Sequence, residues 1–127
     1  MIGERSYCLE RIYKCLNRRY FNNRLPKDVP VFIANLGKED GYRRLGKIVY
    51  DMEMQRVSDK RKYQLKTVPF TIVVAHNLYL NELKFTMFHE MNHVYLSITG
   101  HSGVRHGPLF QKGMLRLAKA GAFKGIW

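Results

Sequence analysis

The chain has few acidic residues, few cysteines and no long apolar run. Of its 127 residues, 10 are Asp or Glu against 22 Lys or Arg, and only two are cysteine. Apolar runs such as Ile72-Val73-Val74-Ala75 fall far short of the roughly 20 residues that cross a bilayer. Met1–Ser6 has no apolar core of the signal-peptide kind. No membrane association is therefore expected. The expected location is intracellular, cytoplasmic if the source is a bacterium or a virus. Cys8 and Cys15 lie seven residues apart in a stretch that reads as helix, which sets their Cα atoms about 10 Å apart. A disulfide needs less than about 7 Å. Both are expected to be reduced core residues on one helical face. Two cysteines cannot supply a four-ligand zinc ribbon, so residues 1–127 read as one domain without a C-terminal ribbon.

Apolar residues make up 46% of the chain and aromatics 13%, enough for a globular core. The formal net charge of +12 predicts an anionic partner, most simply nucleic acid. Glu4 to Tyr20 reads as a helix, with Leu9, Ile12, Leu16 and Tyr20 on its apolar face. Asn22-Asn23 and Pro26 end it. Val29–Leu36, Arg44–Met54 and Phe70–Ala75 read as three strands, with a turn at Gly37–Gly41. Ser58–Lys66 reads as a loop or a strand extension. The period then changes. Leu83, Met87, Met91, Val94 and Ile98 form a helical stripe, with Asn81 as N-cap and Gly100 as stop. A loop containing Gly103, Gly107 and Pro108 leads to a last helix marked by Phe110, Met114 and Leu117, with Gly121 beyond its end. The order α, three β, α, α predicts a small α+β domain with a short three-stranded sheet.

The chemical signal is His89-Glu90-Met91-Asn92-His93, an H-E-x-x-H pattern on the predicted helix. Residues four apart lie on one helix face, so His89 and His93 can share a metal ion. Glu90, beside that face, is placed to take a proton from a water held there. Imidazole ligands favour zinc and disfavour magnesium. A catalytic site needs a third ligand and an open position. Glu90 is the last carboxylate of the chain, so no downstream Glu can serve. An H-E-x-x-H-x-x-G-x-x-H pattern would need histidine where Thr99 stands. His101 and His106 remain.

Three segments together, YFNNRLP at Tyr20–Pro26, HEMNHVYL at His89–Leu96 and RHGPLF at Arg105–Phe110, resemble the SprT-like (Spartan-type) zinc metallopeptidases. The resemblance runs from about Ile2 to Ala120. It implies a zincin-like fold, Zn2+ as cofactor, His89, His93 and His106 as its ligands, and Glu90 as catalytic base acting on a protein substrate. It also implies DNA as a partner, because the Spartan branch cleaves proteins crosslinked to DNA. The larger members often carry a ribbon or a long extension; with two cysteines, no ribbon is expected within residues 1–127.

The other signals are weaker. His76 reads as a strand-end polar residue, His101 as a loop histidine and Tyr95 as core. Arg105 reads as a loop arginine able to contact substrate or phosphate. Basic residues are spread over Arg18, Arg19, Arg24, Arg43, Arg44, Lys47, Arg56, Lys60, Arg61, Lys62 and Lys66, with Tyr42, Tyr50 and Tyr63 among them. Cations interleaved with aromatics suit single-stranded or distorted DNA. Two functions of different kinds follow. One is a zinc-dependent endopeptidase acting on DNA-bound or DNA-crosslinked proteins. The alternative is a non-catalytic zinc-containing nucleic-acid-binding module.

Overall fold

The computed structural model describes residues 3–39, 42–58, 62–101 and 105–124, without the side chains of residues 39, 42–43, 53–58 and 62–67. Gly41, Lys60, Arg61 and Gly103 thus lie outside the described residues. So do the side chains of Tyr42, Arg43, Arg56, Lys62, Tyr63 and Lys66.

The α+β class is as expected, and the sheet is larger than expected. Strands β1 (Glu4–Arg5), β2 (Val31–Ala34), β5 (Gly46–Ser58) and β6 (Lys62–Ala75) form one sheet in the order β1-β2-β6-β5. β2 runs parallel to β6, and the other two pairings are antiparallel. A separate two-stranded ribbon joins β3 (Lys38–Glu39) to β4 (Tyr42–Arg43). Of the stretch from Ser58 to Lys66, Ser58 and residues 62–66 extend the strands, because Ser58 pairs with Lys62 and Met54 with Lys66. β1 takes the first residues of the predicted helix. Helix α1 (Tyr7–Tyr20) begins only after Ser6, whose hydroxyl accepts from the Leu9 amide at 3.2 Å.

Helices α1, α2 (Leu80–Ile98) and α3 (Pro108–Lys119) complete the fold. Phe70, Ile72 and Val74 of β6 meet Leu9, Tyr13 and Leu16 of α1 and Met87, Phe88, Met91 and Val94 of α2 in one core. Thr71 and Val73, of the opposite parity, are buried too, which is why this strand reads as an unbroken apolar run.

Two expectations for α1 are corrected. Cys8 and Cys15 are free and exposed, and Ile12 is 40% exposed. Leu9, Tyr13 and Leu16 define the buried face. At 100° per residue, Cys8 and Cys15 stand roughly 100° or more from Leu9. Tyr13 enters the core because its hydroxyl finds a partner there, donating to the Pro26 carbonyl at 2.6 Å. Buried Asn17 grips Leu25 at both polar atoms: its Nδ2 donates to Leu25 O at 3.0 Å, and Leu25 N donates to its Oδ1 at 3.1 Å. Asn22 and Asn23 turn the chain with φ of 52° and 58°, a left-handed conformation that asparagine tolerates.

Helix α2 starts slightly before the predicted cap. Tyr79 is the N-cap, and its amide donates to Glu82 Oε1 at 3.1 Å. The predicted stop holds. Gly100 has φ +84°, and the amides of Gly100 and His101 close back on Ser97 O at 3.4 Å and Leu96 O at 2.8 Å. This is a Schellman ending, and it directs the chain toward α3. Arg116 then seats α3. Its Nη1 donates to Tyr20 O at 2.9 Å, and its guanidinium lies over Phe21 and Tyr95.

Candidate metal centre

Two histidines of α2 meet a third that precedes α3. The Nε2 atoms of His89 and His106 are 3.0 Å apart, those of His93 and His106 3.2 Å, and those of His89 and His93 3.3 Å. Each neutral imidazole nitrogen either carries a proton or presents a lone pair. In a triangle of such atoms, at least one pair must be alike, so mutual hydrogen bonding cannot satisfy all three contacts. A shared cation satisfies all three lone pairs. Ligand atoms around a tetrahedral ion at 2.0–2.1 Å lie about 3.3–3.4 Å from one another, close to the spacings here. The donor set therefore fits zinc.

The surroundings favour the neutral, ligating form. His89 is pushed down to about 4 by burial and then by the neighbouring imidazoles, and His93 likewise to about 4 by burial and then by His106. Phe110, itself buried, lies beneath the triad, with ring centroids 4.5 Å from His93, 4.8 Å from His89 and 4.9 Å from His106.

Glu90 is only 5% exposed, and its side chain borders the same cleft as the histidines. Burial pushes its carboxyl up to about 7, against the pull of the Arg44 guanidinium. Gly46 of β5 packs directly on it. A Cβ at position 46 would stand 2.6 Å from Thr86 Cγ2 and 3.3 Å from Glu90 Cγ, so only glycine lets the strand approach the helix this closely. The cleft has a volume of about 430 Å³, bordered by the triad and by Gly46, Lys47, Ile48 and Tyr50 of β5.

His106, not His101, completes the triad; His101 is an exposed residue of the cleft wall. His76 is exposed at the end of β6 and outside the site. Tyr95 packs partly buried against the core, with its ring 6.1 Å from Phe21. Arg18, Arg19 and Arg24 are exposed away from the cleft, while Arg44, Lys47 and Arg105 border it.

Sequence reasoning missed the brace between the two helices. Asn92, wholly buried, donates from Nδ2 to the Phe110 carbonyl at 3.0 Å. Among the described residues its Oδ1 has no hydrogen-bond partner, and it faces Gly113, where a Cβ would collide with it. A glycine inside α3 and an asparagine inside the motif were the available signals. Gly113→Ala should lower the melting temperature. Crowding a fixed buried amide costs about 1–3 kcal/mol, more than the ~1 kcal/mol of helix propensity that alanine returns. Adding Asn92→Ala to that variant should recover part of the loss, which thermal denaturation of the single and double variants would show.

These features together define a metallopeptidase-like α+β domain. The chain belongs to the SprT-like family, whose sequence model matches residues 9–125. No curated protein and no solved structure gives a significant match to it. Among the described residues, no helix is long and apolar enough to cross a membrane.

Proposed function

We propose that the chain is a zinc-dependent endopeptidase that hydrolyses peptide bonds of DNA-bound or DNA-crosslinked proteins. The observation that carries this reading is the triangle of Nε2 atoms with Glu90 next to it on the same helix, facing one cleft. His89, His93 and His106 would hold the ion. When bound, zinc supplies a Lewis acid that polarises a carbonyl and acidifies a water. Glu90 takes the proton of the attacking water and returns it to the leaving amine. A structural site has no need of such a base, which weighs against a purely structural zinc. β5 is an edge strand of the sheet, and its first residues border the cleft. An extended substrate pairs along that edge.

Nucleic acid is the partner that the net charge of +12 favours. Arg11, Lys14 and Arg18 on the exposed side of α1 offer phosphate contacts away from the cleft.

The test is cleavage of an unfolded protein by zinc-loaded chain, with and without single-stranded DNA. A chelator should stop cleavage, zinc should restore it, and DNA should accelerate it. Cleavage that survives complete removal of metal would end the zinc-peptidase reading. Protein that holds zinc and binds DNA but cuts nothing would point to the non-catalytic nucleic-acid-binding module.

A further inference from the structure

We propose that Asn92 is a positioning residue of the metal centre: its buried amide sets how α3 docks on α2, and so holds His106 where its imidazole meets those of His89 and His93. This rests on the reading of the triad as a zinc site, and it holds whatever reaction the ion serves.

The triangle has two halves of different origin. His89 and His93 stand four residues apart on α2, so the helix itself fixes their spacing. His106 precedes α3 by two residues, so its place depends on where that helix is set down. Asn92 joins the halves. It is the residue before His93, and around the helix it stands about 60° from His89. Its Nδ2 donates to the Phe110 carbonyl of α3 at 3.0 Å. The Phe110 ring meets all three imidazoles, with centroids 4.5 to 4.9 Å away. The next residue, Gln111, reaches back and donates from Nε2 to the His106 carbonyl at 3.3 Å. A displacement of Phe110 is therefore passed on to His106.

The contact is costly to keep, which is a second and independent reason. Asn92 is 0% exposed, and among the described residues its Oδ1 has no hydrogen-bond partner. A buried carbonyl left unpaired costs stability. An apolar side chain of the same length would avoid that cost. It would orphan nothing across the interface either, because the Phe110 carbonyl lies inside α3 and has the helix's own amide four residues on. The same contact disfavours any side chain at position 113, where a Cβ would collide with the Asn92 amide, and glycine inside a helix weakens it. Two departures from the cheapest local choice meet at one contact, on the residue beneath the imidazoles. Such departures are expected where geometry serves a site. Apolar packing alone is non-directional, whereas a hydrogen bond fixes both distance and direction. With His106 docked this way, an ion finds its three ligands already gathered, and binding pays less to order them.

The experiment reads metal binding rather than cleavage. Zinc affinity of the full chain is measured by competition with a chromophoric chelator, and site geometry by the absorption bands of cobalt(II) bound in place of zinc. Asn92→Leu removes the donor without leaving a hole, and Asn92→Ala removes it and leaves one. Both should bind zinc about 10- to 100-fold more weakly, the usual effect of losing support behind a ligand, and both should shift the cobalt bands. Gly113→Ala, which displaces the amide rather than removing it, should shift them too. Asn17→Ala is the control. It removes another buried asparagine whose Nδ2 holds a carbonyl, Leu25 O at 3.0 Å, but on α1. It should lower the melting temperature and leave zinc affinity and the cobalt spectrum as in wild type. Wild-type zinc affinity in Asn92→Leu, or in Asn92→Ala if the leucine variant does not fold, would overturn the positioning role. So would an equal loss in Asn17→Ala, because affinity would then follow overall stability. A wild-type chain that takes up neither zinc nor cobalt would sink the metal-centre reading and this inference with it. Zinc held equally by the wild type and the Asn92 variants would sink the inference alone.

Discussion

Glu90→Gln should leave zinc content unchanged and lower the turnover of an unfolded protein by about 10²- to 10⁴-fold, the usual worth of a positioned general base. The amide matches the carboxylate in shape and fits the same space under Gly46, so the strand and helix keep their contact. What is lost is a group that can take a proton from water and give it to an amine. The loss should fall on kcat, with little change in KM, because Glu90 is mostly buried and contributes little binding surface. Metal analysis beside steady-state kinetics checks both halves. A variant that keeps full activity would remove Glu90 from the mechanism. The same burial gives a stability signature in metal-free protein. The folded carboxyl is raised from the ordinary 4.5 to about 7, so folding binds a proton that the unfolded chain releases in that interval. Wild-type stability should fall as pH rises from about 5 to about 7, relative to the amide variant, which has no such slope. Melting curves of the two at those pH values would show it.

His106→Ala should abolish stable zinc binding and activity while leaving the fold in place. Structural zinc sites bind with about 10–16 kcal/mol in total; one ligand of three or four then corresponds to about 2.5–5 kcal/mol, or roughly 10²- to 10⁴-fold in affinity. His106 is exposed and rests on Phe110 rather than filling the core, so circular dichroism should be little altered. His101→Ala is the matched control. It changes the other histidine of the same segment and should retain zinc. Loss of zinc from the His101 variant instead would mean that the triad is wrongly assigned.

The elements of this fold differ in how openly their residues declare them. Helix α2 was legible because packing and chemistry both write themselves at helical spacing: Met87, Met91 and Val94 on one face, His89 and His93 on another. The third histidine was not legible from local pattern, because His101 and His106 both follow within reach. The choice depends on the turn after Gly100 and the docking of α3, and both are tertiary. β1 has two residues and no periodicity; it forms because Glu4 and Arg5 meet Ile33 and Phe32. The long β5–β6 pairing was only half visible, since the polar run around Lys62 has no apolar alternation to declare a strand. On α1, a tyrosine outcompetes isoleucine and the cysteines for the core because a carbonyl awaits its hydroxyl.

The brace between Asn92 and Gly113 also restricts how this sequence can change over time. A side chain at 113 is costly while the amide occupies the space, whereas shrinking residue 92 first opens it. The two positions thus favour an ordered pair of steps: a lineage that replaces the glycine loses less stability if it has already given up the asparagine. That route passes through a form in which the Phe110 carbonyl has lost the Asn92 amide as a donor, in the residue whose ring lies beneath the imidazoles.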